Sequence, residues 1–253
     1  MVKCPSCGTE NPTSSAACAG CGKPLVAAKK EMIRSAERPS PKSPMKIDHN
    51  EIIRKMKLDY SHGGADKNER VLDGILSLLS HFQTKQMDVR ALITEAANMI
   101  YKQLGVANLS IGLRSASDGM FRYEVLVGFR PETEAAQRKL TYTEKQFTED
   151  AEYKGSMISR ISKVYLAEDL PYKVEEVESY DHRGLLGMRR LSPTDSLESD
   201  YIDTWILGAN GRLLGWIEFS GLRTGKIPEI QTIKQMEIIA SILGAALAQQ
   251  GAK

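Results

Sequence analysis

Along this chain the spacing of apolar residues changes from three-and-four to strict alternation and back again, and that switch constrains the fold more than any other feature. Val71, Leu72, Ile75, Leu76, Leu79 and Phe82 recur at helical spacing over residues 67–83. A second helix is expected over 88–104, with Asp88 as N-cap, Leu92, Ile93, Ala96, Ile100 and Leu104 as its apolar face, and Gly105 as its stop. The period then falls to two. Leu109, Ile111 and Leu113 alternate with Asn108, Ser110 and Gly112, Ser117-Asp118-Gly119 turns the chain, and Phe121, Tyr123, Val125 and Val127 follow. Residues 131–139, opening on Pro131, read as a helix, and Lys163-Val164-Tyr165-Leu166 as a short strand in an irregular stretch from 142 to 199. A second hairpin runs through 201–207, a turn at Ala209-Asn210-Gly211-Arg212, and 213–220. Ile233, Met236, Ala240, Leu243 and Leu247 mark a closing helix over 228–249. This order predicts an α+β domain: one antiparallel sheet, the terminal helices on one face, and a loop-rich layer on the other.

The second hairpin allows its register to be read. With Asn210-Gly211 at the centre of the turn, Ala209 faces Arg212, Leu207 faces Leu214, Trp205 faces Trp216 and Asp203 faces Glu218. Ile202, Thr204, Ile206, Ile217 and Phe219 then occupy the opposite side and are expected to pack on the terminal helices. Both tryptophans of the chain thus share a face with two carboxylates, an arrangement suited to a cationic or aromatic ligand. The competing reading is a packed core, with the tryptophans as a cross-strand pair and Glu218 bound to Arg189 or Arg190.

The four cysteines all lie in the first 21 residues and none in the other 232. Cys4 and Cys7 form one C-x-x-C pair, Cys18 and Cys21 a second, each followed by glycine (Gly8, Gly22). Two such turns can close a tetrahedral S₄ shell of the kind Zn²⁺ takes, with glycine free to fold the backbone over the sulfurs. Two disulfides, or iron on the same ligands, are the alternatives. A segment this short cannot bury a useful core, so bound metal would supply its folding energy, on the order of 10–16 kcal/mol.

Charge separates the front of the chain from the rest. Residues 1–50 hold eight Lys or Arg against four Asp or Glu, whereas the remainder holds 26 against 28. Residues 26–65 read as a flexible basic Pro/Ser linker, with Pro39, Pro41 and Pro44 favouring extended backbone. Its basic residues would add phosphate contacts if the front of the chain, residues 1–46, met nucleic acid; a solvated tether is the plainer reading. No signal peptide is evident, and the longest apolar run, Ile238 to Ala248 with Ser241 inside it, falls far short of the ~20 residues that cross a bilayer. A cytoplasmic protein without a membrane partner is expected.

Two family resemblances can be stated on these residues. CPSCGTENP and CAGCG resemble the N-terminal zinc ribbon of many prokaryotic proteins, over residues 3 to about 25. The stretches LGVANLSIGL, DTWILGANGRLLGWIEFSG and EIIASILGAALA resemble the GAF family, over roughly 86–250. The division expected is therefore a zinc ribbon at 1–25, the linker at 26–65 and a GAF-like sensory domain at 66–253. The second resemblance implies a small-molecule pocket on the tryptophan side of the sheet, beneath the middle segment, and a homodimer formed through the end helices. The expected ligand contacts are Trp205, Trp216, Asp203, Glu218, Tyr180 and Arg190, with Asp181, His182 and Arg183 in the same polar, glycine-containing segment. His182 has no second histidine near it and is a poor metal ligand.

Catalysis is not expected. The GAF-fold reductases of free methionine sulfoxide need cysteines in the sheet domain, and this one has none. Nor is there a phosphate-binding G-x-x-x-x-G-K-[ST] loop, a kinase signature or a convincing Ser-His-Asp set. Two readings follow: a small-molecule sensor that signals through a separate effector protein, or a dimeric platform that presents the ribbon to nucleic acid or protein.

Overall fold

The computed structural model describes residues 1–25, 53–58, 66–83 and 88–251. The chain divides into two units, Met1–Met56 and Lys57–Lys253. Most of the stretch expected to be linker lies outside the described residues, while 53–58 within it are helical.

In the first unit, β1 (Val2–Lys3) pairs antiparallel with β2 (Glu10–Asn11). Its small core is Cys4, Cys18 and Leu25, with Val2 against them.

The second unit is built on one six-stranded antiparallel sheet, in the order β4-β3-β8-β7-β6-β5. The strands are β3 (Leu109–Arg114), β4 (Phe121–Val127), β5 (Ser156–Met157), β6 (Ser162–Tyr165), β7 (Tyr201–Leu207) and β8 (Leu213–Phe219). Helices α1 (Lys67–Gln83), α2 (Val89–Met99) and, at the far end of the unit, a long C-terminal helix over Ile230–Gly251 lie on one face. Shorter helices α3 (Pro131–Gln137) and α4 (Glu144–Thr148) belong to the connection between β4 and β5. The C-terminal helix is therefore α5.

The core between sheet and helices follows the predicted periods. Ile111, Ile202, Ile206, Ile217 and Phe219 from the strands meet Leu92, Ala96, Ile100, Met236, Ala240 and Leu243 from the helices, all buried. Asp88 caps α2, its carboxylate accepting from the Arg90 amide at 2.9 Å. The helix continues as a wider π turn over Ile100–Leu104 before Gly105 stops it at φ +70°. Gly244 lets α5 close on β7, because a Cβ there would come within 2.2 Å of the Leu207 carbonyl oxygen.

Two expectations need correction. Leu72 and Leu76 do not face the core; they are 55% and 51% exposed, and α1 buries Val71, Ile75 and Leu78, with Leu79 and Phe82 partly buried against the core. In the second hairpin Leu207 pairs with Leu213 rather than Leu214, because the register shifts between Ile206 and Leu207. Within the turn the Arg212 amide donates to the Ala209 carbonyl at 3.4 Å, as the Ala209–Arg212 pair requires, and the Gly208 amide donates to the Arg212 carbonyl at 2.8 Å. Beyond that bulge the predicted pairs are present: Trp205 opposite Trp216 and Asp203 opposite Glu218.

Candidate functional site

Strand pairing lays one polar row across four strands on the face away from α1, α2 and α5. Lys163 of β6 stands opposite Asp203 of β7, Asp203 opposite Glu218 of β8, and Glu218 opposite Ser110 of β3. Two residues along, Trp205, Trp216, Gly112 and Tyr123 form an aromatic row broken by one glycine. The break has a steric cause. A Cβ on Gly112 would come within 2.0 Å of the Trp216 ring, so the indole lies over bare backbone and reaches Tyr123, with ring centroids 5.1 Å apart.

Above these rows, between the sheet and the 130–200 connection, lies a cavity of about 380 Å³. Its sheet-side lining includes Tyr123, Asp203, Trp216 and Glu218; Gln137, Tyr142, Phe147, Glu176 and Tyr180 come from the covering segments. Tyr165 and Tyr201 add a stacked pair at 4.4 Å and 19°. The volume falls within the range of small-molecule sites, about 300–1,000 Å³.

The acids of this cavity divide sharply by how they are satisfied. Asp181 accepts from the Arg130 amide at 3.0 Å and from Asn108 at 2.9 Å. Glu198 accepts from the amide and ring of His182. Glu176 takes the Tyr153 hydroxyl and the Lys173 amide. Asp200 takes the amides of Ala167 and Leu197 together with Arg190, and is the anchor of the covering segment. Asp203 and Glu218 are different. Among the described residues neither has a Lys or Arg ion-pair partner, since the Lys163 ammonium goes to Asp150 at 2.6 Å. Glu218 accepts from Ser110 and Tyr123, each at 3.1 Å, and what exposure it keeps is toward the cavity. Asp203 is 3% exposed, and its Oδ1 has no hydrogen-bond partner.

Electrostatics follow from this geometry. Burial pushes Asp203 well above the usual carboxylate range, and Glu218 opposite it adds to the rise, against the lowering influence of Lys163 and Tyr165. Burial also raises Glu218, outweighing the hydrogen bonds from Tyr123, Ser110 and Trp216. A second acceptor is stranded nearby in the lining. Gln137 gives its amide nitrogen to the Ser179 carbonyl at 3.1 Å, which fixes the side chain's orientation and leaves its Oε1 buried and unpartnered.

Of the residues singled out in the sequence, Trp216, Asp203, Glu218 and Tyr180 line the cavity, as do Asp181 and His182. Trp205 does not; it packs beside the aromatic cluster with its indole N–H buried and unpartnered. Arg190 is not a lining residue either. Its guanidinium is committed to Glu168 at 2.8 and 2.9 Å and to Asp200 at 2.7 and 2.9 Å, so it braces the covering segment. It does not pair with Glu218. Tyr142, Phe147 and Tyr153 escaped the sequence reading because they come from the irregular stretch that begins at 142, and Gln137 because it ends a short helix whose placement over the sheet the sequence does not give.

In the first unit the four Sγ atoms all lie within 4.8 Å of one another. Cys4 and Cys21 are 3.7 Å apart, and Cys7 and Cys18 3.5 Å, all four as free thiols. The edge of a tetrahedron with Zn–S bonds of about 2.3 Å is about 3.8 Å, so the donor set fits such an ion. The backbone repeats itself around the cluster. Cys4 N–H donates to Thr9 and Gly8 N–H to Cys4, while fourteen residues on Cys18 N–H donates to Lys23 and Gly22 N–H to Cys18, all at 2.8–2.9 Å. Gly8 and Gly22 both have positive φ, +76° and +69°. Burial pushes the Cys18 thiol up, but amides of Cys21 and Gly20, with Cys7 and Asn11, bring it down to about 6.

No protein-family model matches the sequence, and no curated protein is similar to it. Among solved structures, the chain is similar to the GAF domain of a phosphoenolpyruvate-protein phosphotransferase from Coxiella burnetii, at 15% identity and a TM-score of 0.47, over 72% of this chain and 95% of that one. It is similar also to residues 122–287 of a methyl-accepting chemotaxis protein, at 15% identity and 0.44, over 69% and 97%. A third is a domain of a two-component sensor histidine kinase protein from Sinorhizobium meliloti, at 16% and 0.43, over 67% and 96%. Among the described residues no helix is long and apolar enough to cross a membrane.

Proposed function

We propose that residues 66–251 form a non-catalytic sensor of a small molecule, that the ligand occupies the cavity over β7 and β8, and that residues 1–25 are a structural zinc site for partner binding. The single observation that carries the sensor reading is the stranded carboxylate. Evolved cores rarely retain a buried carboxyl oxygen without a donor beside open volume, because a buried polar atom without a partner costs about 1–3 kcal/mol. A ligand that supplies the missing donor accounts for it. The test is a thermal-shift and tryptophan-emission screen of small metabolites on the whole protein. A compound that raises the melting temperature and perturbs Trp216 supports the reading; a cavity indifferent to every ligand class overturns it.

For residues 1–25 we propose Zn²⁺ held by Cys4, Cys7, Cys18 and Cys21. The support is a four-sulfur donor set with tetrahedral spacing, and zinc supplies folding rather than reaction chemistry in such a site. Turnover is not part of the proposal: the sheet unit has no cysteine for redox chemistry, and its signal would pass to a separate effector protein. A homodimer through α1 is proposed on the exposure of Leu72 and Leu76, which lie one helical turn apart. Sedimentation of the Leu72→Glu protein checks it: a monomeric variant from a dimeric parent is expected, and a monomeric parent removes the idea.

A further inference from the structure

We propose that the cavity takes an organic cation whose ammonium or guanidinium group donates hydrogen bonds to Asp203 and Glu218 while its carbon skeleton lies against the aromatic lining. The proposal rests on the reading of this cavity as a ligand site and names what the ligand must be. Four independent features converge on it. The first is charge: the sheet brings Asp203 and Glu218 directly opposite one another, and the one cation in their row, Lys163, spends its ammonium on Asp150. The second is hydrogen-bonding capacity. Asp203 Oδ1 and Gln137 Oε1 are both buried acceptors without donors, and a group rich in N–H and poor in acceptors satisfies both kinds of site.

The third feature is the wall. Trp216, Tyr123, Tyr142 and Phe147 meet one another edge-on or tilted, with centroids 4.8–5.9 Å apart, and form an aromatic surface in the same lining as the acids. Such surface attracts cations, most strongly where water is excluded. The fourth is the rim. The remaining acids of the lining, Glu176, Asp181, Glu198 and Asp200, already have main-chain or side-chain donors, so they hold the covering segment and do not compete for the ligand. An anionic ligand would face two carboxyls without a Lys or Arg partner, and a neutral hydrocarbon would leave Asp203 Oδ1 and Gln137 Oε1 unsatisfied.

Three compounds of one shape separate the possibilities. Phenethylammonium, 2-phenylethanol and phenylacetate share a ring and a two-carbon or one-carbon arm but end in a cation, a neutral hydroxyl and an anion. n-Butylammonium tests the same head group without the ring, and tetramethylammonium keeps the charge without N–H donors. Each is titrated into the full-length protein by calorimetry and by tryptophan emission. The expected result is binding of phenethylammonium and n-butylammonium at least tenfold tighter than of the hydroxyl, anionic and tetramethyl compounds. Asp203→Asn is expected to weaken phenethylammonium at least tenfold while retaining the far-UV circular dichroism of the parent, and Glu218→Gln to weaken it by a smaller factor.

Preference for phenylacetate or phenylethanol overturns the cation proposal and leaves the sensor reading standing. Equal affinity for tetramethylammonium overturns the hydrogen-bonding role of Asp203. Stabilisation by Mg²⁺ or Ca²⁺ with none by the ammonium compounds replaces the organic cation with a metal and overturns the proposal likewise. Silence of all five compounds also overturns it; the sensor reading falls with it only if the broader metabolite screen is silent too.

Discussion

The Trp216 indole lies across the unsubstituted Cα of Gly112 on the neighbouring strand, so close that a methyl group there would sit 2.0 Å from the ring. The cavity floor therefore depends on a residue that contributes no side chain. Gly112→Ala is expected to displace the ring and cost about 1–3 kcal/mol through overpacking. Urea unfolding measures the cost, and a shifted emission maximum reports the indole's movement. An unchanged maximum with unchanged stability would mean that the ring does not lie where described.

Asp203→Asn is expected to stabilise the protein while weakening ligand binding. The amide keeps the shape of the side chain, can donate to Glu218, and removes the cost of holding a buried carboxyl protonated, for a gain of about 1–3 kcal/mol near neutral pH. The direction with pH follows from the raised pKa values of Asp203 and Glu218. The folded state holds protons there that the unfolded chain loses at about pH 4, so the parent's stability falls as pH rises from that point toward the folded values. The advantage of the asparagine variant should accordingly be small near pH 4 and grow toward neutrality. Paired denaturation curves across that range check this, and an advantage that shrinks with rising pH refutes it.

Arg190→Met is expected to be among the most damaging single changes in the second unit. Its guanidinium is 13% exposed and Asp200 only 7%, so the substitution strands a buried carboxylate, at about 3–5 kcal/mol. A double-mutant cycle with Asp200→Asn separates bracing from ligand contact. Strong coupling in stability, with little change in ligand affinity for variants that still fold, is the expected pattern.

Cys18→Ser is expected to lower zinc content from one equivalent per chain to a small fraction, measured by atomic emission after gel filtration. Both tryptophans lie far along the sequence, at 205 and 216, so emission-detected melting reads the sheet unit by itself. That transition is expected to survive chelation. Retention of full zinc by the serine variant would remove the four-sulfur site.

Much of this arrangement was legible in the residues alone, for identifiable reasons. Alternation in 201–220 fixed which side chains share a face, because a one-residue slip would have buried Asp203 against α5. The local bulge at Ile206-Leu207 was not legible, since a bulge alters the ladder without altering the alternation on either side of it. Leu72 and Leu76 were misplaced because a helix with apolar residues on two adjacent stripes does not say which stripe meets the core. Arg190 was drawn to the ligand by its setting among polar residues, when its real partners, Glu168 and Asp200, lie 22 and 10 positions away in irregular chain. Gln137 and Tyr142 could not have been found, because a short helix and the chain that follows it do not say which part of the sheet they cover.

The alternation of β7 and β8 has one last consequence. Asp203 and Glu218 are each flanked in the chain by side chains that point through to the helices: Ile202 and Thr204 for the first, Ile217 and Phe219 for the second. The partition between the cavity and the apolar core is a single backbone thick. A tilt of either strand would carry these neighbours against α5, so substitutions at Asp203 or Glu218 are expected to be felt on both faces of the sheet.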